Sequence, residues 1–200
     1  LTDVTGVQTC ALPIYRPHGQ GRRDRHRDPG HRDLDEHRSM MRGFLSFGTN
    51  LGDRASLLSE ALRLLEGRGL VIARKSRRYE TVPVEVVDAQ GSYLNMVAEF
   101  TFGGGALELL DLCQGVERAL GRDRPYVHAP RTMDIDIILL EGVEVAHERL
   151  AIPHPRMEQR AFVIHPLAEI APDLILPSGR TATEVGKALG DGEIIRILDG

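Results

Sequence analysis

Apolar residues change their period several times along the chain, and each change marks an element. Gly43 to Phe47 forms a short apolar strand, and Gly48-Thr49-Asn50-Leu51-Gly52-Asp53 then interrupts it with Asn50 or Asp53 as a helix N-cap. Leu57, Leu58, Ala61, Leu62 and Leu65 recur at helical spacing until Gly67. Residues 70–81 read as a strand of mixed polarity, and residues 84–92 carry no period and read as a long binding loop. From Tyr93 to Phe102 the alternation is regular. Leu94, Met96, Ala98, Phe100 and Phe102 take the core face, and Tyr93, Asn95, Val97, Glu99 and Thr101 take the other. Gly103-Gly104-Gly105 turns the chain into a second amphipathic helix carrying Leu109, Leu110, Cys113, Val116 and Leu120, which ends at Gly121. No Lys-Ser/Thr follows these glycines, so they are a turn and not a phosphate loop. A second loop spans 122–130, a strand follows, and Glu141-Gly142 is a tight turn into Val143 to Ala146. The pattern then predicts helix over about 157–170, an edge strand at 174–176 and a last helix at 183–189.

The order strand, helix, strand, strand, helix, strand defines an α+β fold. It is the ferredoxin-like split βαβ plan, a mostly antiparallel sheet with helices packed on it. At 200 residues, 42% hydrophobic and 27% charged, the chain suits one globular domain. The formal net charge of −4 argues against nucleic-acid binding by bulk charge. Two cysteines without a disulfide or zinc spacing, and the lack of an apolar run of about 18 residues, lead us to expect a cytoplasmic protein with no membrane segment, and a monomer is the expected state.

Residues 1–39 differ from the rest. From Arg16 to Arg38 the chain is nearly all Arg, His, Asp, Gly and Pro, and it holds His18, His26, His31 and His37. Such a polar, aperiodic stretch is expected to be disordered, and Leu1 to Ile14 resembles translated adapter sequence. A non-native leader over 1–39 and a domain over 40–200, starting at Met40 or Met41, is the expected division.

The chemistry concentrates in Pro130 to Leu140. Alternation sets Met133, Ile135 and Ile137 on one side of a strand and Asp134 and Asp136 on the other, their Cα atoms about 7 Å apart. Two carboxylates so close repel each other unless a cation lies between them. Mg²⁺ suits such an open pair, because it keeps several waters and takes one or two carboxylates together with substrate phosphates. Arg131, with Arg122 and Arg124 upstream, adds guanidinium forks for phosphate beside it. The set points to phosphate transfer, whereas an isolated Asp-x-Asp would read equally well as a solvated strand face.

Four motifs in register carry a resemblance. Phe-Gly-Thr-Asn-Leu-Gly-Asp at 47–53, Tyr-Leu-Asn at 93–95, Ala-Pro-Arg-Thr-Met-Asp-Ile-Asp-Ile at 129–137 and Ile-Pro-His-Pro-Arg-Met at 152–157 resemble the 6-hydroxymethyl-7,8-dihydropterin pyrophosphokinase family of folate biosynthesis. The likeness runs from about Phe44 to Leu189. It implies transfer of pyrophosphate from MgATP to the pterin hydroxymethyl oxygen with release of AMP. By the same resemblance, Asp134 and Asp136 would hold two Mg²⁺ ions, and Arg131, Arg122 and Arg124 would clamp the phosphates as further catalytic groups. Glu117, Ile135, His154 and Arg160 would complete the ATP site. Tyr93 and Phe162 would sandwich the pterin, Asn95 would read its edge, and Thr81 and Val84 would add backbone contacts. His128, His147 and His165 are left as structural. Two alternatives stand beside this reading, a ferredoxin-like small-molecule-binding regulatory module and a metal-dependent nucleotide-sugar transferase.

Overall fold

A computed structural model describes residues 40–83, 91–121 and 132–199, so the leader over 1–39 lies outside the described residues. The first half runs β1 (Met41–Thr49), α1 (Arg54–Glu66), β2 (Val71–Lys75), β3 (Arg78–Thr81), β4 (Tyr93–Phe102) and α2 (Ala106–Ala119). The second half runs β5 (Asp134–Leu140), β6 (Val145–His147), β7 (Leu150–Ile152), a 3₁₀ turn (Met157–Gln159), α3 (Ala161–Ile170), α4 (Ala182–Leu189) and β8 (Ile194–Leu198). Asp53 caps α1, its Oδ1 accepting from Ser56 N at 3.2 Å, as the sequence expects of an acidic residue at that position.

The main sheet has the order β5-β1-β4-β3-β8, with β2 also paired to β4, and every pairing is antiparallel. The strand β4 therefore lies between β1 and the β2/β3 segment that α1 connects, which is the split βαβ arrangement. Leu45, Phe47, Met96 and Phe100 meet Leu58, Leu65, Leu109 and Val116 of α1 and α2 on one face. Phe44, Val97 and Ile138 meet Val163, Ile164 and Leu167 of α3 and Val185 of α4 on the other. Both faces of the sheet are thus covered by helices. That is why Val97, which alternation sets opposite the first core, is buried as well.

The strand expected over 70–81 is split between Lys75 and Arg78. Ser76 turns its side chain into the ladder there, and its Oγ accepts from Val97 N at 3.0 Å. After the turn at Glu141-Gly142 a single bridge joins Leu140 to Val143. The chain then leaves β5, and β6 pairs with β7 in a separate ribbon. Residues 174–176 make one bridge, Ile175 to Thr181, in place of an edge strand. The strand β8 is an addition that the periodicity did not reveal, and its Ile195 and Ile197 are exposed. Among the described residues no helix is long and apolar enough to cross a membrane.

Candidate active site

The cross-strand register assembles the site. Asp134 on β5 stands opposite Gly48 on β1, Gly48 stands opposite Asn95 on β4, and Asn95 stands opposite Tyr79 on β3. Residues directly opposite in an antiparallel ladder share a face, so a carboxylate, a bare backbone and an amide form one row. The neighbouring rows add Asp136 opposite Ser46 on one side and Thr81 opposite Tyr93 on the other. Asp134, Asp136 and Tyr93 are partly exposed, while Asn95 is 4% exposed and donates from Nδ2 to Thr81 Oγ1 at 2.8 Å. A Cβ on Gly48 would lie 3.1 Å from Asn95 Oδ1, so glycine keeps the floor between the carboxylate and the amide clear.

The start of α3 closes one side of this row. The Arg160 guanidinium lies 3.6 Å from Asp136 Oδ2 and sits 5.5 Å from the centre of the Phe162 ring, a cation–π distance. Phe162 is partly buried and packs against the second core. His154, after the cis Ile152-Pro153 bond, is fixed by its backbone N–H to Ile138 O at 2.8 Å. Its Nδ1 accepts from Arg156 N at 3.2 Å, which leaves the proton of the neutral ring on Nε2. Burial, followed by the Arg160 and Arg156 charges, holds its pKa below the ordinary 6.5, so the ring is a neutral N–H donor at pH 7.

Glu117 reaches the same strand from behind. It is 3% exposed, and its Oε1 accepts from the backbone N–H of Ile135 at 2.8 Å. Among the described residues β5 is an edge strand, so that amide has no ladder partner there on its outer side, and Glu117 supplies one. Glu117 therefore fixes the strand between the two aspartates. The Ile135 side chain is buried in the first core, on the face opposite the aspartates.

The structure thus brings together Asp134, Asp136, Asn95, Thr81 and Tyr93 on one face at one end of the sheet, with Arg160 and Phe162 beside them. Val84, Arg122, Arg124 and Arg131 lie outside the described residues. Among the described residues no group of three or more His, Cys, Asp or Glu forms a closed metal cage. A pair of partly exposed carboxylates on a rigid strand fits a cation that takes its other ligands from water and phosphate. Gly48 was not singled out from the sequence, since only the register shows what it faces. The same holds for Arg54, Glu80 and Ser92, which bond to one another behind Thr81 and Tyr93.

Comparison with known proteins points to one family. The family profile described as 7,8-dihydro-6-hydroxymethylpterin-pyrophosphokinase (HPPK) matches residues 44–172. The 2-amino-4-hydroxy-6-hydroxymethyldihydropteridine pyrophosphokinase of Methylorubrum extorquens is 38% identical over 159 residues, covering 79% of this chain and 99% of its own. The protein of the same name from Bacillus subtilis is 43% identical over 128 residues, covering 64% and 76%. A crystal structure of Plasmodium falciparum HPPK-DHPS superposes with a TM-score of 0.59 at 16% identity over 78% of this chain, and this chain spans 46% of that longer protein. Neither the regulatory module nor the nucleotide-sugar transferase is favoured by these matches.

Proposed function

The chain belongs to the 7,8-dihydro-6-hydroxymethylpterin-pyrophosphokinase family, and we propose that the row Asp134, Gly48, Asn95 is the floor on which its reaction takes place. The enzyme transfers pyrophosphate from ATP to 6-hydroxymethyl-7,8-dihydropterin in folate biosynthesis. The hydroxymethyl oxygen attacks the β-phosphorus of ATP in line. As that O–P bond forms, the bond from the β-phosphorus to the oxygen bridging to the α-phosphorus breaks, AMP leaves with that oxygen, and the hydroxyl proton passes to solvent. Such transfer needs positioning and charge neutralisation more than a strong side-chain base, and the site is built from carboxylates, cations and amides.

Asp134 and Asp136 would hold Mg²⁺, two ions by the family resemblance, and the metal when bound supplies positive charge to the phosphates. Arg160 stands beside Asp136, within reach of a phosphate held there. His154 offers Nε2–H to the same group. Glu117 keeps the aspartates at their spacing by holding the amide between them. We assign phosphate clamping to Arg122, Arg124 and Arg131 on the motif alone. Asn95 reads the pterin edge with a donor and an acceptor, supported by Thr81, and Tyr93 and Phe162 take the two faces of the flat ring. The catalytic domain is assigned to 40–200. A cytoplasmic location remains our expectation from cysteine usage, and a monomer is the state we assign to it.

The observation that carries the assignment is the shared face of the two aspartates and Asn95 across β5, β1 and β4. Product analysis tests it. Incubation with ATP, Mg²⁺ and 6-hydroxymethyl-7,8-dihydropterin is expected to yield AMP and the pterin diphosphate in equal amounts, and formation of ADP with a pterin monophosphate would refute the reading.

A further inference from the structure

On the opposite face of β3, directly behind Thr81, the Glu80 carboxylate is 5% exposed. Its Oε1 accepts from the Ser92 hydroxyl at 2.6 Å and from Arg54 at 3.0 Å. The same Arg54 nitrogen donates to the Ser92 carbonyl at 2.8 Å and to its Oγ at 2.9 Å. Arg196 of β8 closes the other carboxylate oxygen. Four separate places in the chain meet here: the first residue of α1, the residue before the end of β3, the residue before the start of β4 and Arg196 within β8.

The position matters because the β3–β4 ladder stops at Thr81 and Tyr93. Ser92 lies beyond it, so the strand ends that bear Thr81, Tyr93 and Asn95 gain from Arg54 and Glu80 the restraint that ladder bonds supply elsewhere. The Ser92 hydroxyl bond, with those of Arg196 and Arg54, holds the Glu80 carboxyl at about 2 against the cost of burial, so the group stays ionised throughout the neutral range. Arg54 directly follows the 47–53 motif, which the substrate contacts leave otherwise unexplained beyond Gly48 and the helix cap.

We propose that Arg54, Glu80 and Ser92 form a positioning unit for the pterin pocket, fixing Thr81, Tyr93 and Asn95 from behind without touching either substrate. The proposal rests on the pterin assignment above. It predicts a selective defect, because the unit backs the pterin half of the row while Asp134 and Asp136 stand on a strand it does not contact. Geometry at a binding site is steep enough that a shift of about 1 Å costs up to about a hundredfold.

The test is isothermal titration of the full chain with 6-hydroxymethyl-7,8-dihydropterin and, separately, with a nonhydrolysable MgATP analogue, each variant being checked by thermal melting. Arg54→Ala is expected to weaken pterin binding about tenfold and to leave the nucleotide constant within about twofold. Arg54→Lys should recover part of the loss, because a point charge reaches Glu80 but cannot hold Ser92 with the same geometry. Ser92→Ala, which removes only the hydroxyl, should cost about threefold for the pterin, and it decides the matter if Arg54→Ala does not fold. Wild-type pterin affinity in a folded variant overturns the proposal, as does equal weakening of both ligands. Failure of the wild-type protein to bind the pterin at all would overturn the pterin assignment itself, a result distinct from either.

Discussion

The two ends of one sheet face use carboxylates in opposite ways. At the far end, Glu99 of β4 is 4% exposed, and Arg42 from β1 and Arg74 from β2 each donate to one of its oxygens at 2.5 Å. Burial works against that charge, but the Arg74 and Arg42 bonds outweigh it and hold the carboxyl below its ordinary pKa. At the near end, Asp134 and Asp136 are partly exposed on an edge strand, and Arg160 faces Asp136 at 3.6 Å, beyond hydrogen-bonding distance. A carboxylate enclosed by two guanidiniums contributes to the fold. A carboxylate pair at an open edge can exchange its partners for a metal and phosphates. The difference lies in what surrounds the acid, since the residue types are nearly the same.

The comparison breaks most visibly at Asp136. Asp136→Ala should lower turnover by at least about a thousandfold, because it removes charge that stabilises the transferring group. Its melting temperature should stay close to wild type, and steady-state AMP formation together with a melting curve checks both. Next in size are the rings. Tyr93→Ala and Phe162→Ala should each weaken pterin binding by about 1–3 kcal/mol from lost stacking and burial. Titration with the nucleotide analogue should give an unchanged constant, and a large melting shift without a pterin defect would assign Phe162 to the core.

Much of this was legible from the sequence because it is local. Alternation alone puts Asp134 with Asp136 and Tyr93 with Asn95, and helical spacing gives α1 and α2. The remainder depends on register between strands far apart in the chain. Nothing near Gly48 announces that it separates Asp134 from Asn95, and nothing near Glu117 announces that it holds an amide 18 positions away. The strand β8 escaped for a related reason. It is an edge strand with Ile195 and Ile197 exposed, so its apolar residues do not mark a single buried face.

Acid should separate two further groups by their range. The folded protein holds Glu80 at about 2 against an ordinary 4.5, so an unfolded chain binds that proton first. Its stabilisation is complete above 4.5 and is lost as pH falls from there toward 2. His154 is also depressed, and an unfolded chain gains its proton more readily, so a smaller loss begins as pH drops below 6.5. Denaturant titrations across pH should show both steps, the lower one reduced in Glu80→Gln and the upper one absent in His154→Ala. The smallest expected effect is Gly48→Ala. Its Cβ would meet Asn95 Oδ1 at 3.1 Å, and a displaced amide should weaken pterin binding about threefold with little change in melting.

The most direct measurement pairs the two ends of the face. AMP formation and melting temperature are to be recorded on the same preparations of Asp134→Ala and Glu99→Ala. Asp134→Ala is predicted to be folded and inactive, while Glu99→Ala is predicted to retain its kcat and to lose on the order of 2 kcal/mol of stability. A folded Asp134→Ala protein that still forms AMP at near wild-type rate would contradict the assignment of the near end as the active site.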